Sequence, residues 1–101
     1  PLEVLGRAQL ELGRHEEARR SFERGLELVE DVEADERRGA LRFGLARARW
    51  AGGERDAETL ELARQAEREL PSDGPESREA RAAARAWLAE REAEASREAS
   101  R

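Results

Sequence analysis

Residues 5–26 read LGRAQLELGRHEEARRSFERGL. Gly6 and Gly13 lie seven residues apart, followed by Ala18, Phe22 and Gly25, in a stretch otherwise dominated by Leu, Glu and Arg. The spacing predicts two amphipathic helices with a break at Gly13. On the first, from about Leu2 to Leu12, Leu2, Leu5, Gly6, Gln9 and Leu12 fall on one face. Gly13 is a natural stop, since glycine tolerates left-handed backbone. The second runs from about Glu16 to Glu30 with the stripe Ala18, Phe22, Gly25, Leu26 and Val29. Glu16 and Glu17 suit its positive N-terminal end. So short a link makes the two helices pack antiparallel.

Outward from this hairpin the pattern continues. DVEADE (31–36) is an acidic connection into a third helix, about Asp35 to Ala51, whose apolar residues are Ala40, Leu41, Phe43, Gly44, Ala48 and Trp50. Gly52 and Gly53 end it, because paired glycines disfavour helix. A fourth helix, about Asp56 to Leu70, turns Leu62, Ala63, Ala66 and Leu70 inward. PSDGP (71–75) is a strong turn. A fifth helix starts near Glu76, with Ser72 or Asp73 as capping candidates and a stripe of Ala80, Ala83, Ala84, Trp87 and Leu88. Beyond Leu88 large apolar residues stop, which predicts a solvated, fraying end. Glu3–Arg7, Glu16–Arg20 and Glu33–Arg37 are i,i+4 pairs with Glu leading, each worth roughly 0.2–0.5 kcal/mol.

Composition agrees with helix. Charged residues make up 43% of the 101, yet 19 basic and 24 acidic side chains nearly cancel and alternate with Leu and Ala. Disordered chains combine low hydrophobicity with large net charge. An Ala/Glu/Leu/Arg-rich chain reads as long helix even at a mean hydropathy of −0.95. Every basic residue is Arg, and Lys, Ile, Asn, Tyr, Met and Cys are absent, a composition expected of a GC-rich bacterial genome. Without Cys there is neither disulfide nor thiolate chemistry. A net charge of −5 argues against a nucleic-acid partner. No apolar run approaches the ~20 residues of a membrane helix, so no membrane partner and a cytoplasmic setting are expected. The chain does not begin with Met and is read as a piece of a longer protein.

The opening stretch resembles a tetratricopeptide repeat, a helix–turn–helix unit of about 34 residues. Leu2, Leu5, Gly6, Gly13, Ala18, Phe22 and Gly25 follow the repeat's order. Gly6, Ala18 and Gly25 stand where the paired helices touch, and Phe22 fills the gap to the next unit. Gln9 departs from the usual aromatic and Glu30 from the usual Pro. In a second, poorer match, Phe43 and Gly44 stand for Leu-Gly, Gly52 and Gly53 for the turn, and Pro71 for the closing Pro. The resemblance implies an all-α fold in one domain, residues 1–101. Its parts are a first repeat at about 1–32, a second at about 35–71 and a terminal helix at about 76–97, stacked as a short right-handed solenoid. More narrowly, residues 41–70 and RAWLAER (85–91) are similar to the C-terminal repeat tails of bacterial, myxobacterial-type Ser/Thr protein kinases. Arg42, Phe43, Leu45, Ala46, Arg47, Trp50, Trp87, Leu88 and Ala89 carry that likeness. Repeat arrays of transcriptional regulators are the main competitor.

The resemblance implies protein–protein interaction through a concave groove lined by the first helix of each pair: Glu3, Arg7, Leu10 and Glu11, then Arg38, Leu41, Arg42, Leu45 and Arg49. Arg38, Arg42 and Arg49 share one helical face, and guanidinium forks suit carboxylates. Arg7, Arg38, Arg42, Leu45 and Arg49 are therefore the expected contacts for an acidic protein or peptide. The chaperone-tail clamp of some family members needs Lys and Asn, which this chain lacks. The rival reading is a structural cap that binds nothing.

Catalysis is not expected. His15, the only His, lies in the first turn with no partner for a metal site. Ser21 and Thr59 have no base in reach, the carboxylates alternate with Arg along helix surfaces, and no kinase motif occurs. No cofactor or metal is expected. Trp50 and Trp87 are read as packing between the second hairpin and the fifth helix. An uncovered Leu2–Leu5 face predicts a weak homodimer through the N-terminal hairpin.

Overall fold

The computed structural model describes residues 1–29, 35–71 and 74–100, and among them every regular element is an α-helix. The glycines of the opening stretch act as read. Gly13 adopts φ +76°, and the backbone N–H of Gly13 and Arg14 close helix α1 (Leu2–Glu11) on the carbonyls of Leu10 and Gln9. Helix α2 (His15–Leu28) begins at once and turns back along α1. Helix α3 (Asp35–Ala51) packs on α2 and also reaches α1. Gly53, at φ +101°, completes its C-terminal turn. Helix α4 (Ala57–Glu69) lies on α3, and α5 (Pro75–Ala99) lies on α4. Each helix thus packs on its neighbours in sequence, and the molecule measures 44 × 30 × 21 Å.

Small residues let the helices come close. A Cβ built on Gly6 would lie 2.6 Å from the Phe22 ring, and one on Gly44 would lie closer still, so the ring is clamped between α1 and α3. Phe22 is fully buried with Ala18, Leu41, Leu45 and Ala48 in one apolar cluster. Ala46, Trp50, Leu60, Ala63 and Leu88 form the second, which joins α3, α4 and α5. At about 25 cal/mol per Å² of apolar surface removed from water, these two clusters are the main source of stability.

Helix α4 carries the one side-chain cap that the structure shows at a described helix start. The Thr59 backbone N–H donates to Asp56 at 2.9 Å, and the Thr59 hydroxyl donates to the same oxygen at 2.8 Å. These bonds hold the Asp56 carboxyl below the usual carboxylate range, with the backbone bond the larger cause.

Four differences from the sequence reading stand out. Leu5 and Leu12 point outward, 48% and 69% exposed, because α1 turns Gly6 toward α2 and half-buries Gln9 there. Gln9 accepts a hydrogen bond from the Ser21 hydroxyl at 2.6 Å. Ala83 is exposed, while Ala84 and Leu88 carry the buried stripe of α5. That helix also continues to Ala99, as its Ala, Glu and Arg content favours, with Arg91 paired to Glu94 at 3.2 Å. Its N-cap is Gly74, at φ +87°, followed by Pro75 at N1. The capping candidates Ser72 and Asp73, the acidic connection, Glu30 and the Glu33–Arg37 pair fall on or reach residues outside those described.

Candidate functional site

Helix α3 carries its arginines on two faces. Arg38, Arg42, Leu45 and Arg49 follow one another at helical spacing, and the structure turns that face toward α4. Arg42 forms an ion pair with Glu69 of α4. Arg49 binds Glu54 at 2.9 Å and lies 3.8 Å from Glu58. Arg38 meets Asp35 at 3.2 Å. Leu45 is buried in the cluster around Phe22, so its side chain is spent on packing. Arg7, on α1, pairs with Glu3 at 3.4 Å. The arginines expected to share one binding surface are thus each next to a carboxylate of this chain, and Arg42 and Arg49 help to fasten α4 to α3.

On the second face of α3, which carries Phe43, Arg47 and Trp50, the last two line a cleft of about 590 Å³. Helix α1 supplies Leu10 and Glu11 to it, α3 supplies Arg47 and Trp50, and α5 supplies Trp87, Arg91, Glu94 and Arg97. Trp87 stands edge-on to both Phe43 and Trp50, with ring centroids 5.9 Å apart in each case. This offset is the arrangement that aromatic quadrupoles favour. Each ring also carries a guanidinium. Arg47 lies over Phe43 at 4.8 Å, Arg55 over Trp50 at 5.7 Å and Arg91 over Trp87 at 5.6 Å, all within the range of cation–π attraction. Trp50 and Trp87 do join the second hairpin to α5, and they also form one wall of the cleft.

Arg47 differs from its neighbours. Arg91 binds Glu90 at 3.0 Å and Glu94 at 3.2 Å, and the Arg55 Nε donates to the Trp50 carbonyl. Arg47 has no hydrogen bond or ion pair among the described residues, and its Nε, like that of Arg91, is buried without a partner. Burial pushes its guanidinium below the usual arginine value. Arg7 pushes the same way, while Glu3 and Glu11 oppose both. An arginine stays charged even so. The cleft therefore holds a half-buried cation with no carboxylate in ion-pair contact, although Glu11, which lines the same cleft, is near enough to act on it.

No family model, curated protein or solved structure matches the chain.

The site thus rests on its own chemistry. Among the described residues no group of three or more His, Cys, Asp or Glu side chains is placed to hold a metal ion. Ser21 and Thr59 both use their hydroxyls in structural hydrogen bonds. No helix is long and apolar enough to cross a membrane. The cleft presents the two indole rings, an apolar edge at Leu10, and guanidinium groups interspersed with the carboxylates of Glu11 and Glu94. The i, i+4, i+7 spacing of Phe43, Arg47 and Trp50 was legible in the sequence. Which α3 face stays open was not, because that depends on Glu69, 27 residues beyond Arg42.

Proposed function

We propose that the chain is a tetratricopeptide-like interaction module whose α1–α3–α5 cleft binds a peptide carboxylate, within a larger regulatory protein such as a bacterial Ser/Thr protein kinase. The observation that carries this reading is Arg47, a cation lying over the Phe43 ring with no carboxylate in ion-pair contact. The helix order supports it as well: hairpins packed in sequence, with the first helix of each pair facing one cleft, are what such repeats build. A carboxylate placed end-on at the Arg47 terminal nitrogens makes charge-assisted hydrogen bonds. An apolar neighbour in the peptide then lies against Trp87, the half-buried indole at the cleft wall. Arg42 and Arg49, already engaged with Glu69, Glu54 and Glu58, serve the fold in this reading.

The test is a titration of the intact chain, followed by tryptophan fluorescence. The probes are short peptides carrying one Glu between two Leu, with a Gln counterpart and both free and amidated C-termini. The Glu peptide is expected to bind at least about tenfold more tightly than the Gln peptide, in line with ~1.5–3 kcal/mol for a hydrogen bond to a charged group. Affinity should fall with salt, since exposed charges are screened beyond ~8 Å at physiological ionic strength. Arg47→Gln should remove the Glu preference and leave the circular dichroism unchanged. Equal binding of Glu and Gln peptides, or an unaltered preference in Arg47→Gln, refutes the reading and leaves the structural role.

A further inference from the structure

A second surface adjoins the cleft along Glu11. The large apolar side chains that the structure leaves well exposed, Val4, Leu5, Leu12 and Leu28, all belong to the first hairpin. Val4, Leu5, Ala8 and Leu12 succeed one another at steps of one, three and four along α1, on the side away from Gly6. All four are exposed. Ala8, at the middle of this stripe, lets another helix come close. The two ends of the stripe differ. At one end Leu12 projects as a knob, 69% exposed. At the other a cleft of about 850 Å³ opens beside Pro1, Val4, Leu28 and Leu41.

The charges along the edge of the stripe differ in the same manner. Glu11 has no ion pair among the described residues, whereas Arg7, one turn earlier on that edge, is held only by the exposed contact with Glu3. A knob and a hollow at opposite ends of one helix, with opposite charges on one edge, complement a reversed copy of themselves. That is the condition for a two-fold interface, in which residue i meets j and j meets i.

We propose that two copies of this chain pair antiparallel through α1, each Leu12 resting on Val4 and Leu28 of the other and each Glu11 facing the other's Arg7. The two-fold presents every contact twice, so a single substitution acts twice.

Sedimentation equilibrium of the full chain over a concentration series tests this. A reversible monomer–dimer equilibrium is expected. Leu12→Glu should weaken it by about a hundredfold, since each copy loses a buried leucine contact. Leu12 is exposed, so the fold should survive, and Leu28→Glu on the other helix provides an independent repeat. Glu11→Arg alone should weaken the dimer by setting like charges opposite each other, and adding Arg7→Glu should restore it. A monomer at every concentration overturns the proposal and leaves the face to a different protein. A dimer indifferent to both Leu12→Glu and Leu28→Glu overturns it too, and failure of the charge swap to restore pairing overturns the antiparallel arrangement.

Discussion

Phe22→Ala is expected to remove most of the stability of this chain. The ring is fully buried, and it touches α1 and α3 at once, through Gly6 and Gly44. Deleting it loses the transfer free energy of the ring and leaves a cavity, together about 3–5 kcal/mol. The cavity does not close cheaply, because both flanking positions are glycines whose backbones already sit against the ring. A domain of this size has roughly 5–15 kcal/mol in total. The urea midpoint should therefore fall sharply, with an unchanged dependence on denaturant if unfolding stays two-state. A loss under about 1 kcal/mol would show that the ring is not the joint between the hairpins.

Gly44→Leu should damage the same joint from the opposite direction. Overpacking a close contact costs about 1–3 kcal/mol, and the upper end applies because the ring cannot retreat: Gly6 stands behind it. Gly6→Leu should be costly for the same reason, by more than ~1 kcal/mol. Gly13 provides the contrast. Nothing lies within 4 Å of a Cβ there, so a side chain at Gly13 meets only backbone strain, roughly 1 kcal/mol. Thermal melts of the three variants separate the cases. If Gly44→Leu melts no lower than Gly13→Leu, the clamp is misassigned. Pairing Gly44→Ala with Phe22→Leu should recover part of the loss, since the smaller side chain makes room.

What the sequence disclosed follows from how local each signal is. Asp35 and Ala51 were legible as the ends of α3, because an acidic first turn and a glycine pair are signals carried by adjacent residues. Gly6, Ala18, Phe22 and Gly25 were legible as contact positions because they share the helical period. Leu5 and Leu12 were misplaced for a physical reason. Helical spacing shows which residues share a face, but not how far that face extends around the helix. Here the buried arc centres on Gly6, with Gln9 kept inward by its bond to Ser21. The arginines illustrate the same limit. Arg42 and Arg47 are alike as residues, and only the packing of α4 and α5 gives one a glutamate and the other an open cleft.

The packing of each helix on its neighbours in sequence has a kinetic consequence. The helices touch mainly those next to them in the chain, with α1 also reaching α3 and Trp87 of α5 reaching Phe43 and Trp50 of α3, so few loops must close before most contacts form. Such topologies fold fast. They also come apart in pieces. Helix α5 is tied down at Ala84, Leu88 and the Trp87 edge contacts, whereas α2 and α3 are pinned from both sides. Opening should therefore start at α5, and α5 is the wall of the cleft that carries Trp87 and Arg91. The least protected segment of the molecule would then be the one that decides how wide the Arg47 cleft stands. A ligand lodged there would raise the protection of α5 amides against exchange before it changed those of α2.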